Sequence, residues 1–181
     1  MITRGFRWLG CWLFVFLGVV TSGKADSPIT VSSPAFAAGR PIPAVHALAV
    51  KNLSPELHLQ DIPANARSLV LIVDDPDSPS GLWTHWLVWN LPANLKSIPE
   101  GKLPQGAIQG KNSFQRVRYD GPAPPEGTGI HRYFFRVYAL DEILTLPEGS
   151  DRSALLAAMK GHVIGTGEIF GIYQYSPALP P

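Results

Sequence analysis

Prolines and glycines are spread so densely through this chain that long uninterrupted helices are closed to it. There are 18 Pro and 17 Gly in 181 residues, where average usage of the two together is about 12%. A proline inside a helix costs about 3 kcal/mol, so a helical bundle or coiled coil is excluded. Disorder is excluded as well, because 45% of the residues are hydrophobic and only 16% are charged, enough apolar surface to offset the ordering entropy. The pattern predicts a single β-rich domain with many ordered loops.

The first 25 residues read differently from the rest. Arg4 and Arg7 form a basic start, Trp8 to Val20 is an apolar run, and Gly23 and Ala25 are small residues two apart. This is the pattern of a secretory signal peptide cut after Ala25. The apolar run is too short to cross a bilayer core of roughly 30 Å. The expectation is a periplasmic or secreted protein with residues 26–181 as one domain. Cleavage would remove Cys11, the one cysteine, and with it any disulfide or thiolate chemistry. It would also remove Arg4, Arg7 and Lys24 and none of the 14 acidic residues. The remaining chain is then net acidic, which argues against a nucleic-acid partner.

Along residues 26–181 the expected strands are Ile29 to Ser33, Ser68 to Val73, Trp83 to Asn90, His131 to Leu140 and Val163 to Tyr173. The SLVLIV run at 68–73 is apolar on both faces, as a central strand is. Asp151-Arg152-Ser153 precedes the best helix, Ala154 to Lys160, which Gly161 closes. Pro92 to Gly106 reads as a broken loop. Two segments rich in turn residues, Asp74 to Gly81 and Tyr119 to Gly129, flank the strands, and Ser78-Pro79 is a candidate for a cis bond.

Strand alternation groups Leu69, Leu71, Val73 and Asp75 on one face, then Trp83, His85, Leu87 and Trp89, then His131, Tyr133, Phe135 and Val137. If the strands are neighbours, Asp75, His85, His131 and Tyr133 converge at one sheet end with Trp83 as a wall. A carboxylate, two imidazoles and a phenol then share a small concavity. Imidazolium and phenol groups are oxyanion donors, and Asp75 would hold His85 or His131 protonated.

The run Asp75-Pro76-Asp77-Ser78-Pro79, the Trp83-x-His85 after it and Gly127-Thr128-Gly129-Ile130-His131-Arg132-Tyr133 together resemble the phosphatidylethanolamine-binding protein family, in its bacterial Raf kinase inhibitor-like branch. Asn52-x-Ser54-Pro55 and Tyr138-Ala139-Leu140-Asp141 add to the likeness, which spans about Asn52 to Tyr173. The resemblance implies a mainly β fold, a sandwich of two antiparallel sheets with short peripheral helices, and a small pocket for phosphate-like anions or phospholipid head groups. Carried over by position, the ligand-binding residues are Asp75, Trp83, His85, His131 and Tyr133. The loop carrying Gly121 and Ala123 would turn its backbone N–H groups toward the anion. Relatives often have glycine or cysteine where this chain has Ala123, and alanine resists a positive φ there. Glu56 and Leu59 also depart from the pattern and are expected at the surface. The family's other implications, a protein partner and a homodimer, stay open.

Among the remaining residues, Arg132 and Arg136 are expected to pair with Asp74 or Asp77 and stack on aromatics. Trp86 and Trp89 are expected in the core or at an interface. The function this favours is non-catalytic binding of a small phosphate-like anion, with no cofactor. Two alternatives are a protease or kinase inhibitor acting through surface loops, and a metal-dependent hydrolase using Asp75, His85 and His131. No G-x-S-x-G or H-E-x-x-H motif occurs.

Overall fold

The computed structural model describes residues 27–175 and Pro177. The expected signal peptide, residues 1–25, lies outside the described residues. Among the described residues there are nine strands: β1 Ser27–Pro28, β2 Thr30–Ser32, β3 Leu57–Gln60, β4 Ser68–Asp75, β5 Trp83–Pro92, β6 Ser97–Ile98, β7 Ile108–Gln109, β8 Ile130–Leu140 and β9 Val163–Gln174. They form a six-stranded sheet in the order β1-β9-β8-β4-β5-β7 and a three-stranded sheet in the order β2-β3-β6. Pairing is antiparallel except at the edge, where β1 runs parallel to β9. One α-helix, α1 Arg152–Met159, and a short 3-10 turn at Ala44–His46 complete the regular structure.

The apolar SLVLIV run sits where its composition requires. All of β4 is buried, paired with β5 on one side and β8 on the other. Its alternate residues serve two cores. Leu69, Leu71 and Val73 meet Leu57, Leu59 and Ile98 of the smaller sheet, whereas Val70 and Ile72 meet Leu155 and Met159 of α1. Leu59 is therefore interior, 1% exposed, and not at the surface as expected. An apolar residue on the inward side of a strand packs under the main sheet whether or not it is aromatic. The helix begins at Arg152, two residues before its apolar run, because Asp151 caps it by accepting from the Ala154 N–H at 2.9 Å.

Four short strands, β1, β3, β6 and β7, have no counterpart among the expected elements. β6 falls within the Pro92 to Gly106 loop, where two residues suffice to pair with Leu57 and His58. Two residues carry no periodicity to read, whereas β3, Leu57-His58-Leu59-Gln60, alternates buried and exposed. On β9, Gly167 admits a close crossing, since a Cβ there would lie 2.0 Å from the Ile29 carbonyl oxygen.

The outer face of the main sheet carries an ionic cluster. Buried Asp74 accepts from Thr84 Oγ1 at 2.7 Å and from Arg152 Nη2 at 3.0 Å, with Arg136 at 3.6 Å. Arg136 lies over the Phe134 ring at 4.5 Å. Arg132 grips Asp77 with two hydrogen bonds, at 2.7 and 2.8 Å, and holds that carboxyl below the usual carboxylate range. The structural roles expected of both arginines are the ones found.

Candidate functional site

At the end of the main sheet where β4 stops and β5 starts, Asp75, Trp83, His85, Ala123 and His131 line one cavity of about 190 Å³. Ser78, Pro79, Ser80, Phe114 and Pro125 complete its rim. Tyr133 stands behind, its ring edge-on to His85 with centroids 5.1 Å apart. Gly121 is not part of the lining.

A β-bulge places His85. Val73 pairs with Trp86 and Asp74 with Thr84, so His85 is an extra residue opposite a two-residue step of β4. Strict alternation would put His85 on one face with Leu87 and Trp89. Instead Leu87 and Trp89 pack beneath α1, while His85 reaches the cavity beside Asp75 and His131. Trp86 then joins the inner core with Val73. The expected grouping of Trp83, His85, Leu87 and Trp89 is broken at this bulge.

The two histidines are wired differently. His131 Nδ1 donates to Asp75 Oδ2 at 2.7 Å. Thr128 Oγ1 lies 2.7 Å from the Pro125 carbonyl and 2.9 Å from His131 Nε2. Both ring nitrogens of His131 are thus engaged, and the ring is buried against the Asp75 carboxylate. Asp75 also accepts from the Asp77 N–H at 2.8 Å, which starts the turn after β4. That turn closes with the Gly81 N–H on the Ser78 carbonyl. Every described peptide bond is trans, so the candidate cis Ser78-Pro79 bond is trans, and a hydrogen-bonded turn reverses the chain instead.

His85 Nδ1 donates to the Asp120 carbonyl at 2.6 Å, which leaves Nε2 open. Burial lowers the His85 pKa below its ordinary 6.5, against opposing pulls from the Asp120 carbonyl and the Asp75 charge. Asp75 therefore holds His131, and His85 rests neutral near pH 7. Burial also pushes the Tyr133 phenol up, with the Asp75 charge adding to it.

Three buried polar atoms have no hydrogen-bond partner among the described residues: Trp83 Nε1, His85 Nε2 and the Tyr133 hydroxyl. Unsatisfied buried polar groups are rare in folded proteins and ask for an explanation. All three belong to this site.

The loop after Tyr119 is held from outside the cavity. A Cβ at Gly121 would lie 1.9 Å from the His46 carbonyl oxygen, so only glycine fits. Its N–H donates to Asn52 Oδ1 at 2.8 Å and does not turn to the cavity as expected. Pro122 and Pro124 have no N–H, and Ala123 between them lines the cavity, with its backbone set near the Tyr133 hydroxyl. Ala123 is not among the residues with positive φ, and an alanine is accommodated without strain. Asp120, fully buried, accepts from Asn112 Nδ2 at 2.9 Å and Arg118 Nε at 3.1 Å. Sequence reasoning missed Asp120, Asn112 and Phe114. Phe114 stands edge-on to both Trp83 and His85, at 5.3 and 5.5 Å. Among the described residues no group of three or more His, Cys, Asp or Glu is placed to hold a metal ion.

A family model described as phosphatidylethanolamine-binding protein matches residues 32–174. The chain belongs to the phosphatidylethanolamine-binding protein family. A relative in Pyrococcus abyssi, named only as a UPF0098 protein, is 42% identical over 169 residues, 90% of this chain and 94% of its own. Among solved structures, a phosphatidylethanolamine-binding protein homologue from Chlamydia trachomatis is 41% identical, with a TM-score of 0.78 over 83% of this chain and all of that one. Escherichia coli YbcL, described as a member of the mammalian family, is 29% identical with a TM-score of 0.77, over 82% and 99% of the two chains. Membership of this family fixes the two-sheet fold and supports ligand binding.

Proposed function

We propose that the protein binds a small phosphate-like anion, without chemical conversion, in the cavity at the β4–β5 end of the main sheet. The observation that carries this is the trio of unpartnered buried atoms on Trp83, His85 and Tyr133. The indole N–H and the phenol are ready donors. His85 Nε2 is an acceptor in the resting protein and becomes a donor by taking up a proton with the anion. The His131–Asp75 pair acts one step back: Asp75 is hydrogen-bonded by the His131 ring and the Asp77 N–H, which turns that carboxylate to protein donors rather than to the ligand. The family name of the relatives supports a phosphate-bearing head group as one source of such an anion.

A hydrolase would need an open ligand set or an activated nucleophile. Here Asp75 and His131 bind each other and His85 Nδ1 binds a carbonyl, so binding is the better reading. Calorimetry with phosphate, phosphoethanolamine and acetate tests it, on the wild type, His85→Ala and Tyr133→Phe. Phosphate binding in the wild type, weakened about tenfold or more in both variants, is the expected result. Phosphoethanolamine binding tighter than phosphate points to a head group. No phosphate binding, or binding unchanged in both variants, contradicts the proposal.

A further inference from the structure

A second cavity, of about 450 Å³, opens at the β5–β7 edge of the main sheet, lined by Lys51, Lys102 and Arg118 together with Trp86, Gln109 and Tyr119. It shares no lining residue with the first. Its cations come from three separate loops that specific contacts bring together. The Gly101 N–H donates to the carbonyl and the hydroxyl of Ser54, at 3.0 and 3.2 Å, which sets the Lys102 loop against the Lys51 loop. Asn52, in a left-handed conformation at φ 55, donates to the Tyr119 carbonyl and to Asp120 at 3.3 Å each. That ties the Lys51 loop to the Arg118 loop.

The charge in this cavity is one-sided. No carboxylate lines it. Lys51 and Lys102 make no ion pair among the described residues, and Arg118 engages buried Asp120 through Nε alone. Gln109 accepts from Trp86 Nε1 at 2.7 Å through its oxygen, so its amide N–H donors remain. The walls, Trp86 and Tyr119, pack edge-to-face at 5.5 Å, which makes the floor rigid. Like charges held around one concavity repel each other unless a counter-charge joins them. The volume falls in the range of small-molecule sites.

We propose that this cavity is a second binding site, for a small polyanion carrying two or more separated negative charges, phosphate or carboxylate, bridged between Lys51, Lys102 and Arg118. It does not depend on the anion reading of the first cavity. The indole N–H of Trp86 belongs to this site and that of Trp83 to the other, so the two report separately.

The test follows both indole N–H resonances by two-dimensional NMR of the full chain. Tripolyphosphate, citrate, orthophosphate and oligoglutamate are titrated into the wild type, His85→Ala and the Lys51→Glu/Lys102→Glu double variant. The expected result is a saturable shift of Trp86 Nε1–H with tripolyphosphate or citrate, weakening as salt rises. It persists in His85→Ala and weakens about tenfold or more in the double variant. Both lysines are exposed, so the double variant keeps its fold, checked by its unchanged core resonances. A response to citrate alone or tripolyphosphate alone assigns carboxylate or phosphate as the source. No saturable Trp86 shift, a shift unaffected by the double variant, a shift abolished by His85→Ala, or a response to oligoglutamate alone overturns the proposal.

Discussion

At the scale of single residues, the site rests on how each histidine distributes its protons. His131 is engaged at both nitrogens, by Asp75 and Thr128, whereas burial favours the neutral form of His85. An unfolded chain protonates a histidine near 6.5, the folded chain protonates His85 only at lower pH. The stability contributed by neutral His85 is complete above that value and is lost as pH falls toward the folded one. An anion reverses the preference by stabilising the protonated ring. Phosphate affinity should therefore rise as pH falls from 8.5 to 5.5, with proton uptake visible in calorimetry across buffers of different ionisation enthalpy. An affinity flat over that interval contradicts His85 as an anion contact. Gly121 offers a second check. Gly121→Ala drives a Cβ into the His46 carbonyl and should lower stability by about 1–3 kcal/mol. Thermal unfolding reads that loss, and phosphate affinity should fall with it, because Asp120 and His85 move with the loop. Ala123→Gly, at a residue without positive φ, should change either quantity little.

At the scale of elements, β4 and β5 show what sequence can and cannot convey. The fully buried β4 was legible because five consecutive apolar residues, Leu69 to Val73, have one economical place, between two neighbours and under two cores. The pairing of Asp75 with His131 was within reach of the same reasoning, as two polar ends of adjacent strands. The bulge at His85 was not. Alternation assumes an unbroken ladder, and nothing local in Trp-Thr-His-Trp marks where a residue is inserted. Asp120 and Asn112 escaped for a related reason. Their value comes from reaching across to β5 and to the Asn52 loop, contacts that local spacing does not encode. The helix belongs to the main sheet through charge as well as through Leu155 and Met159. Asp74→Asn removes the carboxylate that Thr84, Arg136 and Arg152 share. Its cost should be about 1.5–3 kcal/mol, the range for a hydrogen bond to a charged group. Urea unfolding with an unchanged m-value checks it; a change below about 0.5 kcal/mol would place the cluster among surface pairs of little consequence.

At the scale of the whole molecule, the prolines and glycines that first excluded helical folds concentrate in the loops that build the two cavities. The segment after β4 and the Tyr119 to Gly129 segment frame the first, and Gly101 helps set the second. The overall two-sheet fold was legible from motifs that run in order along most of the chain. The second cavity was not, because Lys51, Lys102 and Arg118 lie far apart in sequence and only the fold brings them together. The central claim is that Trp83 Nε1, His85 Nε2 and the Tyr133 hydroxyl lack partners because a small anion completes them. A crystal structure of the protein with phosphate at pH 5.5 tests this most directly. The account predicts one phosphate in the cavity between β4 and β5, within hydrogen-bond distance of His85 Nε2 and at least one of the other two atoms. A cavity that holds only water at saturating phosphate, with those atoms still unpaired or turned to protein partners, would contradict it.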